Sequence, residues 1–235
     1  MKKIASILVL AFFTIASNAQ SLIPIKYGIK AGLNISNINS TPSEGVKNIE
    51  TSSKIGIAGG FYMEIALNDQ WYINPELLFS QKGASFTYNY THDSDVNKRD
   101  EHETTNELIL SYVELNPTIS FKASNKLALN FGPSIAFLIS DDYTQIDSDE
   151  TISNDLTPAK FDSESLDIAL NLGLSYYFTE HFLVDARVNT GLITIGEASK
   201  LTSTGLVGTT QVNYPKKNKY ELKNRAIVFS IAYLF

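Results

Sequence analysis

Apolar and polar side chains alternate along most of this chain with a period of two, the pattern of strands that keep one face apolar. Eight such runs predict strands over 27–38, 54–68, 71–88, 107–122, 126–140, 165–178, 182–195 and 221–235. All exceed the roughly five or six residues usual for a strand in a soluble domain. Only "NDQ", "ASN" and "TEH" separate runs two and three, four and five, and six and seven, so each of these pairs predicts a tight hairpin. The other connections, 39–53, 89–106, 141–164 and 196–220, are long and polar. Short and long connections that alternate strictly put all tight turns at one end of an antiparallel meander, which is the layout of a transmembrane barrel. The expected fold is therefore all-β, an eight-stranded antiparallel up-and-down transmembrane β-barrel.

The two faces of the runs differ sharply. In the fifth run Leu127, Leu129, Phe131, Pro133, Ile135, Phe137 and Ile139 alternate with Ala128, Asn130, Gly132, Ser134, Ala136 and Leu138. The second and fourth runs separate in the same way. Periodicity alone does not say which face points inward, and a soluble eight-stranded calyx would turn the apolar face in. The other face, built from Gly, Ala, Ser and Asn with scattered charges, suits a narrow lumen better than a solvated surface. The large apolar residues then face lipid, where only closed pairing of strands is tolerated. Tyr27, Trp71, Phe121, Phe178, Phe182, Tyr233 and Phe235 share the outward parity near the short-turn end, as expected of an aromatic girdle at the headgroup level. Pro75, Pro117 and Pro133 lie inside three neighbouring runs and cannot donate to a ladder, so a bulge or local kink is expected across that patch.

The ends of the chain fit this reading. Residues 1–19 carry Lys2 and Lys3, an apolar run from Ile4 to Ile15, and the small residues Ser17 and Ala19. They predict a signal peptide cleaved after Ala19, leaving 20–235 as one barrel domain. The apolar run is too short for a membrane-anchoring helix. Removing the two lysines takes the formal charge from -6 to -8, and an exported acidic chain is a poor partner for nucleic acid. There is no cysteine, which excludes disulfides and thiolate chemistry. The last run ends on Phe235, as expected if that residue closes the wall at the membrane interface.

"YGIKAGLNISN", "WYINPELLFSQKGASF", "YVELNPTISFKASNKLALNFGPSIAFLIS", "LDIALNLGLSYYFTEHFLVDARVNTGLITI" and "KNRAIVFSIAYLF" resemble, in order and spacing, the PorT-like outer-membrane beta-barrel family widespread in Bacteroidota. The resemblance covers nearly all of 20–235. It implies an eight-stranded outer-membrane barrel whose terminal aromatic strand is read by the barrel assembly machinery. It implies little about activity, because only some members act in secretion and a fold is not a function.

Candidate chemistry lies on the inward parity and in the long connections. Lys30, Lys54, Lys82, Lys122 and Arg187 share the lumen with Glu64, Glu76, Glu114, Asp167 and Asp185. Opposite charges so confined form either an ion or proton path or, as expected for this strand number, a structural plug of ion pairs. Paired carboxylates such as Glu64 and Glu76, on strands joined by a tight turn, have the chemistry for acid-base work, but nothing in the sequence suggests that a substrate reaches them. His92, Asp93, Ser94 and Asp95 resemble part of a hydrolase dyad but lack a nucleophile motif, and His102 and His181 read as solvated. Asp141, Asp142, Asp147, Asp149 and Glu150 have the composition of a weak cation site without the spacing of an EF-hand. Lys216, Lys217, Lys219, Lys223 and Arg225 read equally as a contact for anionic headgroups or as a solvated loop.

The expected function is non-enzymatic: an integral outer-membrane barrel with a charge-plugged lumen, periplasmic termini and extracellular loops in a structural or interaction role. The alternative is an accessory part of a secretion or assembly system. Expected partners are outer-membrane lipid, the assembly machinery and a protein at the loops; no cofactor or metal is expected.

Overall fold

The computed structural model describes residues 24–42, 50–95, 98–148, 160–201, 205–207, 210–212 and 217–235. Its strands are β1 (Ile25–Pro42), β2 (Glu50–Ala66), β3 (Trp71–Asp95), β4 (Lys98–Lys122), β5 (Leu127–Ser148), β6 (Lys160–Ser163), β7 (Leu166–Tyr177), β8 (Phe182–Gly191), β9 (Gly196–Leu201), β10 (Gly205–Val207), β11 (Thr210–Val212) and β12 (Lys217–Leu234). Eight of them, β1 to β5 with β7, β8 and β12, form an antiparallel ring in chain order. Pairing of β12 with β1, from Gly28↔Leu234 to Pro42↔Tyr220, closes it. The eight-stranded barrel expected from the alternation is therefore what the chain forms. The predicted signal peptide, 1–19, lies outside the described residues.

Closure extends to the last residue. Phe235 N–H donates to the Tyr27 carbonyl at 2.7 Å, and Leu234 N–H donates to the His181 carbonyl at 2.7 Å. The three short turns share one device. Asn68 Oδ1 accepts the Gln70 and Trp71 amides, Ser124 Oγ those of Lys126 and Leu127, and Thr179 Oγ1 those of His181 and Phe182. One polar side chain thus satisfies two amides that the reversing ladder leaves free.

The orientation of the faces excludes the soluble calyx. Ile55 is 67% exposed, Phe61 65% and Leu172 65%, whereas Glu76 and Lys82 are each 2% exposed. An apolar belt on the outside with charges at the centre is stable only where the surroundings are hydrocarbon.

Two expectations about the strands are corrected. The strands run well past the predicted long connections: β3 and β4 stay paired up to Asp95↔Lys98, so most of 89–106 is hairpin and not loop. In the 196–220 stretch β9 pairs with β12, β6 adds to β9, and β10 pairs with β11. The last strand before that stretch stops at Gly191, short of 195.

The prolines cause no bulge. Pro75 stands directly opposite Pro117 in an unbroken β3–β4 register. Between β4 and β5 the pairs Leu115↔Ile135 and Ile119↔Phe131 keep one register and place Pro117 opposite Pro133, with the intervening residues unpaired. Neither ring nitrogen carries a hydrogen, so the ladder lapses without slipping. Beside Pro75 the β2–β3 ladder also lapses between Tyr62↔Glu76 and Ile65↔Ile73, where Asn74 Nδ2 donates to the Met63 carbonyl at 3.4 Å.

At Gly132 an added Cβ would fall 2.6 Å from the Pro117 carbonyl oxygen, so a side chain there would meet the wall before the lumen.

Candidate functional site

Inward parity brings the charged side chains together in the lumen, and shear of the ring decides which of them meet. Nearest the short turns, Lys122 Nζ donates to Glu64 Oε1 at 2.9 Å and Tyr177 Oη donates to Glu64 Oε2 at 2.6 Å. The same ammonium lies 3.8 Å from the Tyr72 ring centre and 4.6 Å from that of Tyr177. Such contacts hold a cation that is only partly desolvated.

At mid-height the chain builds its densest ion group. Arg187 places Nη1 and Nη2 each 2.8 Å from the two Glu76 oxygens and Nε 2.8 Å from Asp185 Oδ1. Lys30 Nζ lies 2.5 Å from Glu76 Oε1 and 3.8 Å from Asp185 Oδ1. Asn130, Ser175 and Ser230 donate to Asp185, and Asn116 to Glu76. The fork geometry of guanidinium against carboxylate gives each hydrogen bond both charge and direction. Two cations against two anions leave the group neutral, as groups removed from water must be.

Above it Lys82 Nζ lies 3.3 Å from Glu114 Oε2 and 3.5 Å from Asp167 Oδ2, and donates to Asn189 Oδ1 at 3.2 Å. Ser134 donates to Glu114, and Asn224 Nδ2 to Asp167 Oδ2. Higher still Lys54 pairs with Glu107.

All ten charged residues expected on the inward face thus lie in ion-paired contacts, distributed over four levels. The Glu64 and Glu76 pair does not exist as such. Tyr62 faces Glu76 across the β2–β3 ladder, so Glu64 stands two residues nearer the turn, and the two carboxylates take separate cations.

Several contributors were not singled out from the sequence. The amide side chains of Asn116, Asn171 and Asn189 are buried and link Lys82 through Asn189, Asn171 and Asn116 to Glu76, while those of Asn34 and Asn74 are buried and donate to Ser80 and Tyr62. Their inward parity was the available signal. An apolar cluster that includes Ile38, Phe86, Leu108, Leu110, Ile195 and Leu222 fills the lumen toward the long connections. A β-bulge in β5, where Ser111↔Ser140 is followed by Tyr112↔Leu138, switches its faces so that Tyr143 packs against this cluster.

On the outside, the seven aromatic residues expected to form a girdle all sit on the exposed or half-buried face at the short-turn end. Trp71 packs on Phe121 at 5.0 Å, and Tyr233 on Phe182 at 4.8 Å and on Phe235 at 5.3 Å. Tyr176, packed on Phe178, joins them. His181 is exposed but not simply solvated: its ring stacks on Tyr233 and its Nδ1 lies 2.9 Å from the Leu234 carbonyl oxygen.

The remaining candidates gather no chemistry that is visible. Asp141 accepts from Ser163 and Asp142 from Thr144, both at the exposed rim. The side chains of Asp147, Asp149, Glu150, Lys216, Lys217 and Lys219 lie outside the described residues, as do those of His92, Asp93, Ser94, Asp95 and His102. Lys223 is half-buried and Arg225 exposed.

Comparison with known proteins adds a family to this geometry. A family model described as "Outer membrane protein beta-barrel domain" matches residues 16–196. No curated protein matches the sequence. Among solved structures, the chain is similar to OprG from Pseudomonas aeruginosa, with 13% identity over 89% of this chain and 95% of the other and a TM-score of 0.42. Ail, the attachment invasion locus protein of Yersinia pestis, is 11% identical over 89% of this chain and 98% of its own, with a TM-score of 0.35. The outer membrane protease OmpT from Escherichia coli is 10% identical over 91% and 96%, with a TM-score of 0.38. Since the family model spans most of the sequence and the strands close into the ring that such a domain requires, this chain belongs to the outer membrane protein beta-barrel domain family.

Proposed function

We propose that this protein is a non-enzymatic integral barrel of the outer membrane whose lumen is closed by its ion-pair plug, serving a structural or interaction role through its long-connection end. The observation that carries this reading is the filling of the lumen. Ion pairs at four levels occupy it, and the void among Lys30, Asn34, Ser80, Lys82, Asn116 and Arg187 amounts to about 10 Å³. That is room for about one water and not for a solute stream. An enzymatic reading finds no support at Glu76, which is buried and held by Arg187 and Lys30, and at the short-turn mouth, a cavity of about 390 Å³, Glu64 is already bound by Lys122 and Tyr177.

By the usual asymmetry of such barrels the short turns and both termini face the periplasm and the long connections face outward. The lipid contacts the apolar belt, the assembly machinery reads the last strand, and a protein partner is met at the outer end. Placement among PorT-like members rests on the order of the sequence blocks alone. A secretion-accessory role draws on that resemblance, and no arrangement among the described residues favours it.

Single-channel recording of the refolded protein in a planar bilayer tests the proposal. A closed plug gives no sustained current; stable, reproducible openings of porin-like conductance would contradict it.

A further inference from the structure

The charges of the lumen balance at every described level but one. Lys122 meets Glu64, Lys54 meets Glu107, and Lys30 with Arg187 meets Glu76 with Asp185. At the remaining level a single ammonium, Lys82, serves two carboxylates, Glu114 and Asp167. All three residues are at most 5% exposed. The other strands facing this group contribute no compensating cation among the described residues: β5 brings the Ser134 hydroxyl, β8 the Asn189 amide and β12 the Asn224 amide. Tyr112 packs its ring 5.6 Å from the ammonium and brings no positive charge, and Lys30, across the small void beside Lys82, is engaged by Glu76. Arg187, on β8 below, is already engaged by Glu76 and Asp185.

A second observation points to the same place. Asp167 Oδ1 is buried and has no donor, while Glu114 Oε2 has only the Lys82 ammonium at 3.3 Å, which it shares with Asp167. Asn224 Oδ1 is equally unpartnered, on the carboxamide whose nitrogen donates to Asp167. Two acceptor oxygens without donors beside an excess negative charge are an arrangement that buried groups avoid unless something positive completes it.

We propose that the Lys82, Glu114 and Asp167 group is a binding site for one further positive charge, a proton or a small monovalent cation, taken up when the barrel folds. One such charge brings the level to neutrality and gives the orphaned oxygens a partner. A divalent ion would overshoot beside the resident ammonium. The inference rests on the lumen being closed to bulk solution, the reading that conductance tests. Its own test reads a different quantity.

Urea unfolding of wild type in detergent micelles, followed over pH and over NaCl with choline chloride holding the ionic strength, distinguishes the two sources. If the charge is a proton, the folded barrel holds one that the unfolded chain releases, so the unfolding constant rises by up to tenfold per unit above about pH 5. If it is a cation, the constant falls by up to tenfold per decade of sodium at fixed pH. Asp167→Asn and Glu114→Gln each remove the excess charge, and each abolishes the dependence. Should one variant not fold, the other reads the same linkage. Wild type that shows neither dependence, or variants that keep it, would overturn the site.

Discussion

Replacing Arg187 with methionine removes three charge-assisted contacts of 2.8 Å while keeping much of the volume of the side chain. Glu76 then retains Lys30 and Asn116, and Asp185 retains Asn130, Ser175, Ser230 and a distant Lys30. Three such contacts would sum to about 5–9 kcal/mol if each counted fully, but the guanidinium also sheds its own desolvation cost. Breaking a buried pair from one side costs about 3–5 kcal/mol, and that is the expected loss, because two carboxylates are left sharing one ammonium. Removing both sides behaves differently. In Arg187→Met with Glu76→Gln, Lys30 and Asp185 remain as a neutral pair, so the double variant loses at least about 2 kcal/mol less than the two singles together. Unfolding in lipid vesicles is followed by fluorescence of Trp71, the single tryptophan, which is 39% exposed on the outer face and therefore reports the lipid boundary. An Arg187→Met barrel within about 0.5 kcal/mol of wild type, or strict additivity, would refute the plug as a coupled ion group.

Arginine at Leu129 or Phe131, both exposed on the outer face, should cost about 2–4 kcal/mol near the bilayer midplane, read as a shift in the same unfolding curve. Pro117→Ala restores a donor opposite Pro133 and should stabilise the β4–β5 seam by about 1 kcal/mol; an unchanged or lower stability would mean that strand strain, and not the missing hydrogen, sets the gap. Deleting Phe235 removes the amide that bonds to Tyr27 and the ring packed on Tyr233, so heat-modifiable gel mobility should show less folded barrel in outer-membrane fractions.

Strand number, closure and the lipid-facing side were legible because a period of two survives wherever one face meets hydrocarbon and the other a packed lumen. Beyond the apolar belt the signal fades. In "NYTHDSD" both faces are polar, so nothing distinguishes a hairpin from a loop, although β3 continues to Asp95. Parity also gives the side of the wall without the height. It puts Lys82, Asp167 and Glu64 in the lumen but says nothing of the partners that shear selects, such as Asp167 for Lys82 or Tyr177 for Glu64, 85 and 113 residues away in sequence. The apolar filling by Leu108, Leu110 and Phe86 was missed for a related reason: large residues on the inward parity contradict a face read as small and polar. The proline row was visible as a problem and misjudged in its solution, since Pro117 opposite Pro133 needs no slip of register when both simply lack the donor.

The central claim is that the barrel is inside out, with its large apolar residues in lipid and its charges in a closed lumen. Because the chain has no cysteine, single cysteines placed in turn at positions 127 to 131, 133 and 134 of β5 and spin-labelled in lipid vesicles report the environment of each position. The account predicts strict alternation, with labels at 127, 129, 131 and 133 relaxed by lipid-dissolved oxygen and labels at 128, 130 and 134 immobilised and shielded from it. The opposite phase, or labels at both parities accessible to a water-soluble relaxant, would contradict it.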